Sequence, residues 1–401
     1  MFYFLIFSII AILATLDINK TNIKLRAEIS FIIVALLFFI AAFRYETGMD
    51  WLQYQKNFKS VPTIYSIYKI SNIFNGLDIS YQTLCILIKS FGGGIQTVFF
   101  IMQLIGSVFF WKSINRYSNL KITSTLIYFS LLFFLLDLNL MRQMLAVNIF
   151  FYSIKYIYEK KMWKYLAFVI LAFTFHWSAI FFLPLYFILN HKFSSKFIYL
   201  LSLTFILFFV FQVKTGDLLY TLTNNLLGSS EITNKVNFYT TQNLYSVNRV
   251  LNFGFISNVL IFIATMLHRE KLETSISYFN ILLNLMILQL FFYFVTYEYI
   301  ELSGRLRFYT LISYIVILPG FIQIYKYLFN RIVIFSLIVL YCLSYSYIYM
   351  ISSKKTIAYN PYQNYLVHII FNTQSTGEFR LKQYMIDFNK ERMKIKKTQK
   401  K

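Results

Sequence analysis

The sequence has 401 residues, 58% of them hydrophobic, with a mean hydropathy of +0.59 and a formal net charge of +22. A soluble globular domain is excluded, because its apolar residues would be fewer and broken into short periods. The excess of Lys and Arg stands between apolar stretches, where membrane topology and anionic headgroups account for it, so nucleic acid is not an expected partner.

The apolar stretches run from end to end. They predict an all-α, polytopic transmembrane helical protein of about 12 spans (±2), organised as one integral membrane domain over 1–353 with a basic polar tail over 354–401. In chain order the spans are expected near 1–16, 29–43, 95–111, 122–138, 144–158, 163–175, 178–190, 197–213, 252–267, 275–295, 306–326 and 332–351. The first lacks a basic n-region and an A-x-A cleavage site and reads as a retained span. Segment 77–91 is amphipathic, is interrupted by Lys89 and runs into Gly92, Gly93 and Gly94. It reads as a re-entrant or surface helix, with a full span as the alternative. The 46 Phe and 33 Tyr fit lipid-facing packing and interfacial anchoring.

Orientation follows from Lys and Arg. Loops 17–28, 112–121, 159–164, 191–196, 268–273 and 324–331 hold 15 Lys/Arg in 48 residues, against 9 in 90 for 44–78, 139–143, 176–178, 214–251 and 297–305. The richer set is expected in the cytoplasm and the other set outside. Loops 44–78 and 214–251 then become the large external loops. The tail is ambivalent. Its 11 Lys/Arg against 3 Asp/Glu favour the cytoplasm, whereas the parity of the spans puts it outside.

The external set gathers the polar residues. Arg44, Glu46, Gly48, Asp50 and Tyr54 open the first loop, and Gly48 with Asp50 suggests a tight turn that brings a carboxylate back to Arg44. The short connection Asp137 to Gln143 puts Arg142 and Gln143 at a helix start on the interface, where a guanidinium can fork onto two phosphate oxygens; snorkelling or pairing with Asp137 is the structural alternative. His176 sits within 27 near-apolar residues, Trp163 to Leu189. At 1.5 Å per residue that is about 40 Å, too long for one straight span. A break at His176-Trp177-Ser178, with Pro184 on the return leg, would make a hairpin with His176 at its tip. Ser303 to Tyr309 opens a later span after Glu298 and Glu301. Arg305 and Arg307, two apart, point to different faces, and Arg305 is taken as the site-facing one. Asn360-Pro361-Tyr362 reads as a turn.

Other chemistries lack their signatures. Cys85 and Cys342 have no metal-type spacing, and His176, His191, His268 and His368 are scattered, so neither a metal site nor a disulfide framework is expected. No phosphate-binding glycine loop occurs, no Asp is followed two residues on by another Asp, and no cofactor is expected. Several Arg at one membrane face offer a metal-free way to stabilise a departing lipid diphosphate.

The order of these motifs resembles the EpsG-like branch of the Wzy-type repeat-unit polymerases of O-antigen, capsule and exopolysaccharide. The resemblance rests on Arg44, Gly48, Asp50 and Tyr54, then Arg142-Gln143, Lys160-Lys161, Phe175-His176-Trp177-Ser178, Pro184 and Tyr186, Arg305 to Tyr309, and Pro361-Tyr362. It implies a glycosyltransferase of the bacterial cytoplasmic (inner) membrane, with its active site on the external, periplasmic face. Such an enzyme moves a glycan from undecaprenyl diphosphate to another lipid-linked oligosaccharide, needs no metal or nucleotide sugar, and works beside membrane lipid, a chain-length regulator and a flippase. Carried onto this chain, Arg44, Arg142 and Arg305 would bind diphosphates with Tyr54, Gln143 and Tyr309 as further substrate contacts. His176 would take the acceptor proton, and Asp50 would orient an Arg or the His. An O-antigen ligase is the nearer rival, since Glu46 and Asp50 would suit an acidic base. A flippase of lipid-linked glycans is the rival from another class, although no internal repeat and no mid-membrane charge pattern supports it.

Overall fold

The computed structural model describes residues 1–19, 22–69, 78–213, 215–228, 230, 231, 233, 234, 252–297, 299–351 and 356–398. Residues 70–77 of the expected first external loop, most of the 214–251 loop, and Glu298 lie outside the described residues. What is described is helical, with one isolated backbone bridge, Arg44 to Asn364.

In chain order the helices are α1 (Phe2–Ala14), α2 (Ile23–Ala42), α3 (Trp51–Ser60), α4 (Ile79–Ser90), α5 (Ile95–Tyr117), α6 (Lys121–Leu136), α7 (Met141–Tyr158), α8 (Met162–Phe175), α9 (Trp177–Leu189), α10 (Ser195–Val210), α11 (Gly216–Leu227), α12 (Phe253–Leu267), α13 (Arg269–Ser275), α14 (Phe279–Phe294), α15 (Ile300–Gln323), α16 (Leu328–Met350), α17 (Tyr365–Phe371) and α18 (Gly377–Thr398). Four of them, α2, α5, α15 and α16, are long and apolar enough to cross a bilayer, and seven shorter ones are apolar.

Burial sorts the helices into two layers. The inner layer is α6, α7, α14 and much of α15, whose side chains are buried nearly all round. A helix apolar on every side has no polar face to turn outward, so it goes to the centre. The outer layer is α1, α2, α5, α8, α10, α12 and α16. These keep Phe31, Ile32, Phe39, Leu200, Leu203, Leu260, Leu337 and Leu340 exposed, the pattern of a surface that meets lipid. Inside, polar groups bond one another: Tyr314 donates to Asn258 Oδ1 at 2.7 Å and Thr310 to Gln289 Oε1 at 2.7 Å.

Three local features position the functional end. α7 and α8 form a tight hairpin through Glu159, Lys160 and Lys161, with Lys160 at φ 55. At His176 the backbone turns extended, φ −153 and ψ 122, which ends α8, and the chain returns through the tighter helical leg α9 with Pro184 inside it. The break thus falls at His176-Trp177-Ser178. α4 lies against α5 and α8, fixed by Ser80 Oγ donating to Thr174 Oγ1 at 2.8 Å. Lys89 of α4 donates to the carbonyls of Phe58, Lys59 and Val61 at the end of α3, where a cation meets the negative end of the helix.

The segment after α16 returns to the first loop. Tyr45 N donates to Gln363 O, Gly48 N to Ala358 O, and Tyr365 N to Phe43 O, each within 2.9 Å. Arg380 clasps the carbonyls of Pro361 and Glu46. Residues 358–380 therefore share an end of the bundle with Phe43 to Gly48.

Candidate functional site

The first loop is built onto the Asp137–Leu140 turn. Gly48 has φ +100, and a Cβ there would come 2.1 Å from Leu138 O, so only glycine lets the loop lie this close. Asn139 Oδ1 accepts from Met49 N at 2.7 Å and from Asp50 N at 3.0 Å. Arg44, 1% exposed, donates to Ala41 O at 2.9 Å and Asp137 O at 2.7 Å, and lies 4.4 Å over the Phe99 ring. Its guanidinium ties α2 to the end of α6 beneath the surface rather than facing outward. Asp137, the alternative partner for Arg142, instead accepts from Tyr128 at 2.6 Å.

Above this floor, side chains from separate parts of the chain meet. Arg142, in the first turn of α7, donates to Asp78 Oδ2 at 2.6 Å. Its guanidinium stands 5.6 Å from the Tyr54 ring centre and 5.3 Å from that of Tyr81. The Arg142 side chain keeps 30% of its surface exposed, so it is gripped from below and open above. Gln143 donates to Arg305 O at 2.7 Å, which joins the starts of α7 and α15.

Arg305 Nη1 lies 3.3 Å from His176 Nε2, and Arg305 Nη2 lies 3.9 Å from Glu301. A guanidinium only donates, so the Nε2 facing it presents its lone pair, while Nδ1 faces both the backbone N–H of Ser178 at 3.4 Å and its hydroxyl. The chain continues from Nδ1 to Ser178 Oγ at 2.7 Å and from Ser178 to Tyr309 OH at 3.1 Å. Tyr309 is stacked on Phe182 of the return leg, which fixes the height of the imidazole. Arg307 turns away, 4.5 Å over the Tyr293 ring.

Asp50 lies in the fields of Arg305 and Arg142. Burial raises its carboxyl above the ordinary carboxylate value, while the two guanidiniums pull it back. Of the residues singled out from sequence, Asp50, Arg142, Gln143, His176, Arg305, Tyr54 and Tyr309 are brought to one end of the bundle, and Arg44 lies beneath them. Asp78, Tyr81, Asn139, Ser178 and Glu301 join them. Asn139 and Ser178 stood inside the quoted motifs, whereas Asp78 carried no signal beyond its place before an amphipathic helix.

A bundle of apolar helices with a polar, arginine-bearing cluster at one end defines an integral membrane protein. The chain belongs to the EpsG family, whose model matches residues 29–364. Membership gives a polysaccharide-polymerase-like function of the glycosyltransferase kind, with a lipid-linked oligosaccharide as the class of substrate. No curated protein and no solved structure matches the chain.

Proposed function

We propose that this chain is a polysaccharide repeat-unit polymerase. It transfers a glycan from undecaprenyl diphosphate to the far sugar of another lipid-linked unit, at the external face of the bacterial cytoplasmic membrane. The supporting observation is the meeting of Arg142, Arg305, His176 and Asp50 at one end of the bundle.

The chemistry needs few parts. The acceptor hydroxyl attacks the anomeric carbon, the bond to the diphosphate breaks, and the proton goes to a base. A diphosphate is already a good leaving group, so charge stabilisation, one base and alignment suffice. Arg142 and Arg305 hold the departing diphosphate, and His176 Nε2 receives the hydroxyl proton. The Arg305–His176 contact couples the two events: when Arg305 turns onto a phosphate, the Nε2 lone pair is released for the acceptor. Asp50 orients the guanidiniums. Tyr54, Tyr309 and Gln143 shape the walls, and Arg44 holds the floor.

The test is a gel of cell polysaccharide after deletion of the gene and its restoration as wild type, Arg142→Ala or His176→Ala, with insertion of each variant checked by immunoblot of membranes. Both variants should lose the long ladder and keep single repeat units. Full-length polymer from both overturns the site. In the deletion strain, a normal ladder left on its carrier lipid would mean a ligase, and complete units trapped in the cytoplasm would mean a flippase.

A further inference from the structure

A second cluster of charge lies at the opposite end of the bundle. α2 and α6 end beside Arg44 and Asp137 and begin about 24–30 Å away, given 1.5 Å per residue, beside Asp17. Asp17 Oδ2 accepts from Thr123 N at 2.8 Å and Thr123 Oγ1 at 2.9 Å, which caps α6. Its Oδ1 accepts from Arg26 at 3.4 Å, and its backbone carbonyl accepts from Arg331 Nη2 at 3.2 Å. Lys121 lies in the fields of both Asp17 and Arg26, and Arg331 in that of Arg26.

The charges do not balance. Arg26, Lys121 and Arg331 are 8%, 9% and 5% exposed, and among the described residues Asp17 is the single carboxylate paired with any of them. The Lys121 ammonium has no hydrogen-bond or ion-pair partner among the described residues, and the Nε atoms of Arg26 and Arg331 are buried without one. Each cation stands in the first turns of its helix, α2, α6 or α16. There the helix end is itself positive, so the cations add to the potential instead of offsetting it. Three cations and three helix starts around one carboxylate whose oxygens are both already bonded make a place that favours an anion.

We propose that Arg26, Lys121 and Arg331 bind the phosphate of an anionic phospholipid. The phosphate chemistry follows from the donors. The lipid source follows from the surroundings: on the same helix starts Ile23, Leu25, Leu328, Phe329 and Ile332 are exposed, so acyl chains have an apolar surface to follow from the cluster. All three cations come from the Lys/Arg-rich set of loops, which face anionic headgroups in the positive-inside arrangement.

The test titrates the delipidated full-length protein in neutral detergent with phosphatidylglycerol, phosphatidylcholine or inorganic phosphate, and reads bound lipid by native mass spectrometry and melting by intrinsic fluorescence. Lys121→Gln is the variant of choice, since its ammonium makes no internal bond and the fold does not lean on it. Lys164→Gln, an exposed charge of the same loop set, is the control. Wild type and Lys164→Gln should each retain one phosphatidylglycerol in preference to phosphatidylcholine, and Lys121→Gln should bind it about fivefold more weakly, the effect of one basic residue near an anionic surface. Equal retention of the two lipids, or unchanged affinity in Lys121→Gln, overturns the proposal. Protection by inorganic phosphate without protection by phosphatidylglycerol assigns the phosphate to a soluble source and overturns the lipid one.

Discussion

The two ends of the bundle use the same residue types to opposite effect. At one end Arg142 rests on Asp78 and Arg305 near Glu301, with Asp50 in the fields of both. At the other, Asp17 pairs its carboxylate with Arg26 alone and is already bonded to Thr123, Arg331 reaches only its backbone carbonyl, and Lys121 stands beside them. The first end has carboxylates enough to hold its arginines, so under the proposed function an incoming diphosphate would exchange partners with them. Exchange suits the proposed turnover, because a product that is replaced by a resident carboxylate can leave. The second end has a standing excess of positive charge, which suits an anion that stays.

The largest expected way to break this contrast is Arg142→Lys. It keeps the charge and loses the planar fork, and transfer should fall by about a hundredfold or more in membranes from a strain that carries only the variant. Equal activity would make Arg142 a general electrostatic contact. Gly48→Ala comes next. Its Cβ would strike Leu138 O, so the loop must move, at a cost of about 2–3 kcal/mol in the thermal stability of purified protein, with activity lost along with it. Asn139→Ala withdraws the acceptor shared by Met49 and Asp50 N and should cost about 1–2 kcal/mol.

Asp50→Asn sharpens the comparison through pH. Burial raises the folded Asp50 carboxyl above its unfolded value, so its contribution to stability is present at low pH and lost as pH rises through the folded value. At neutral pH the Asn variant should therefore melt no lower than wild type, and transfer should still fall. In wild type, transfer should decline on acidification at a pH above the ordinary aspartate value, and Asp50→Asn should lack that limb. A variant that melts much lower at neutral pH would make Asp50 structural. The smallest effect belongs to Lys161→Ala, whose pair with Glu159 is a solvent-exposed contact on the α7–α8 turn; stability should change by about 0.5 kcal/mol or less.

Much of this was legible in the sequence. Apolar runs reveal helices because a lipid solvent leaves the backbone few other choices. The Lys/Arg bias grouped Asp50, Arg142, His176 and Arg305 on one side of the membrane, and the break at His176 followed from a run too long for one span. Partners were harder to read. Arg142 had Asp137 close by in sequence, yet a helix start projects side chains by packing, and the carboxylate it meets is Asp78, brought over by α4. Arg44 was expected to meet a carboxylate returned by the Gly48–Asp50 turn and to bind a diphosphate, but two carbonyls at helix ends claim it, and carbonyls have no sequence signature. The hydroxyl relay from Ser178 to Tyr309 joins positions 131 apart in the chain, a contact that only the packing of α9 on α15 creates.

The stitching of the C-terminal segment onto the first loop sets an order of assembly. Arg380 donates to Glu46 O across 334 residues of chain, and Gly48 N waits for Ala358 O. The loop that carries Asp50 leaves the ribosome early, but the backbone partners that hold it arrive only after the last apolar helix has been made. A nascent chain stalled between Tyr309 and Ala358 would carry the floor of the site and its arginines without the clasp. The clasp on the first loop is then closed only near the end of synthesis.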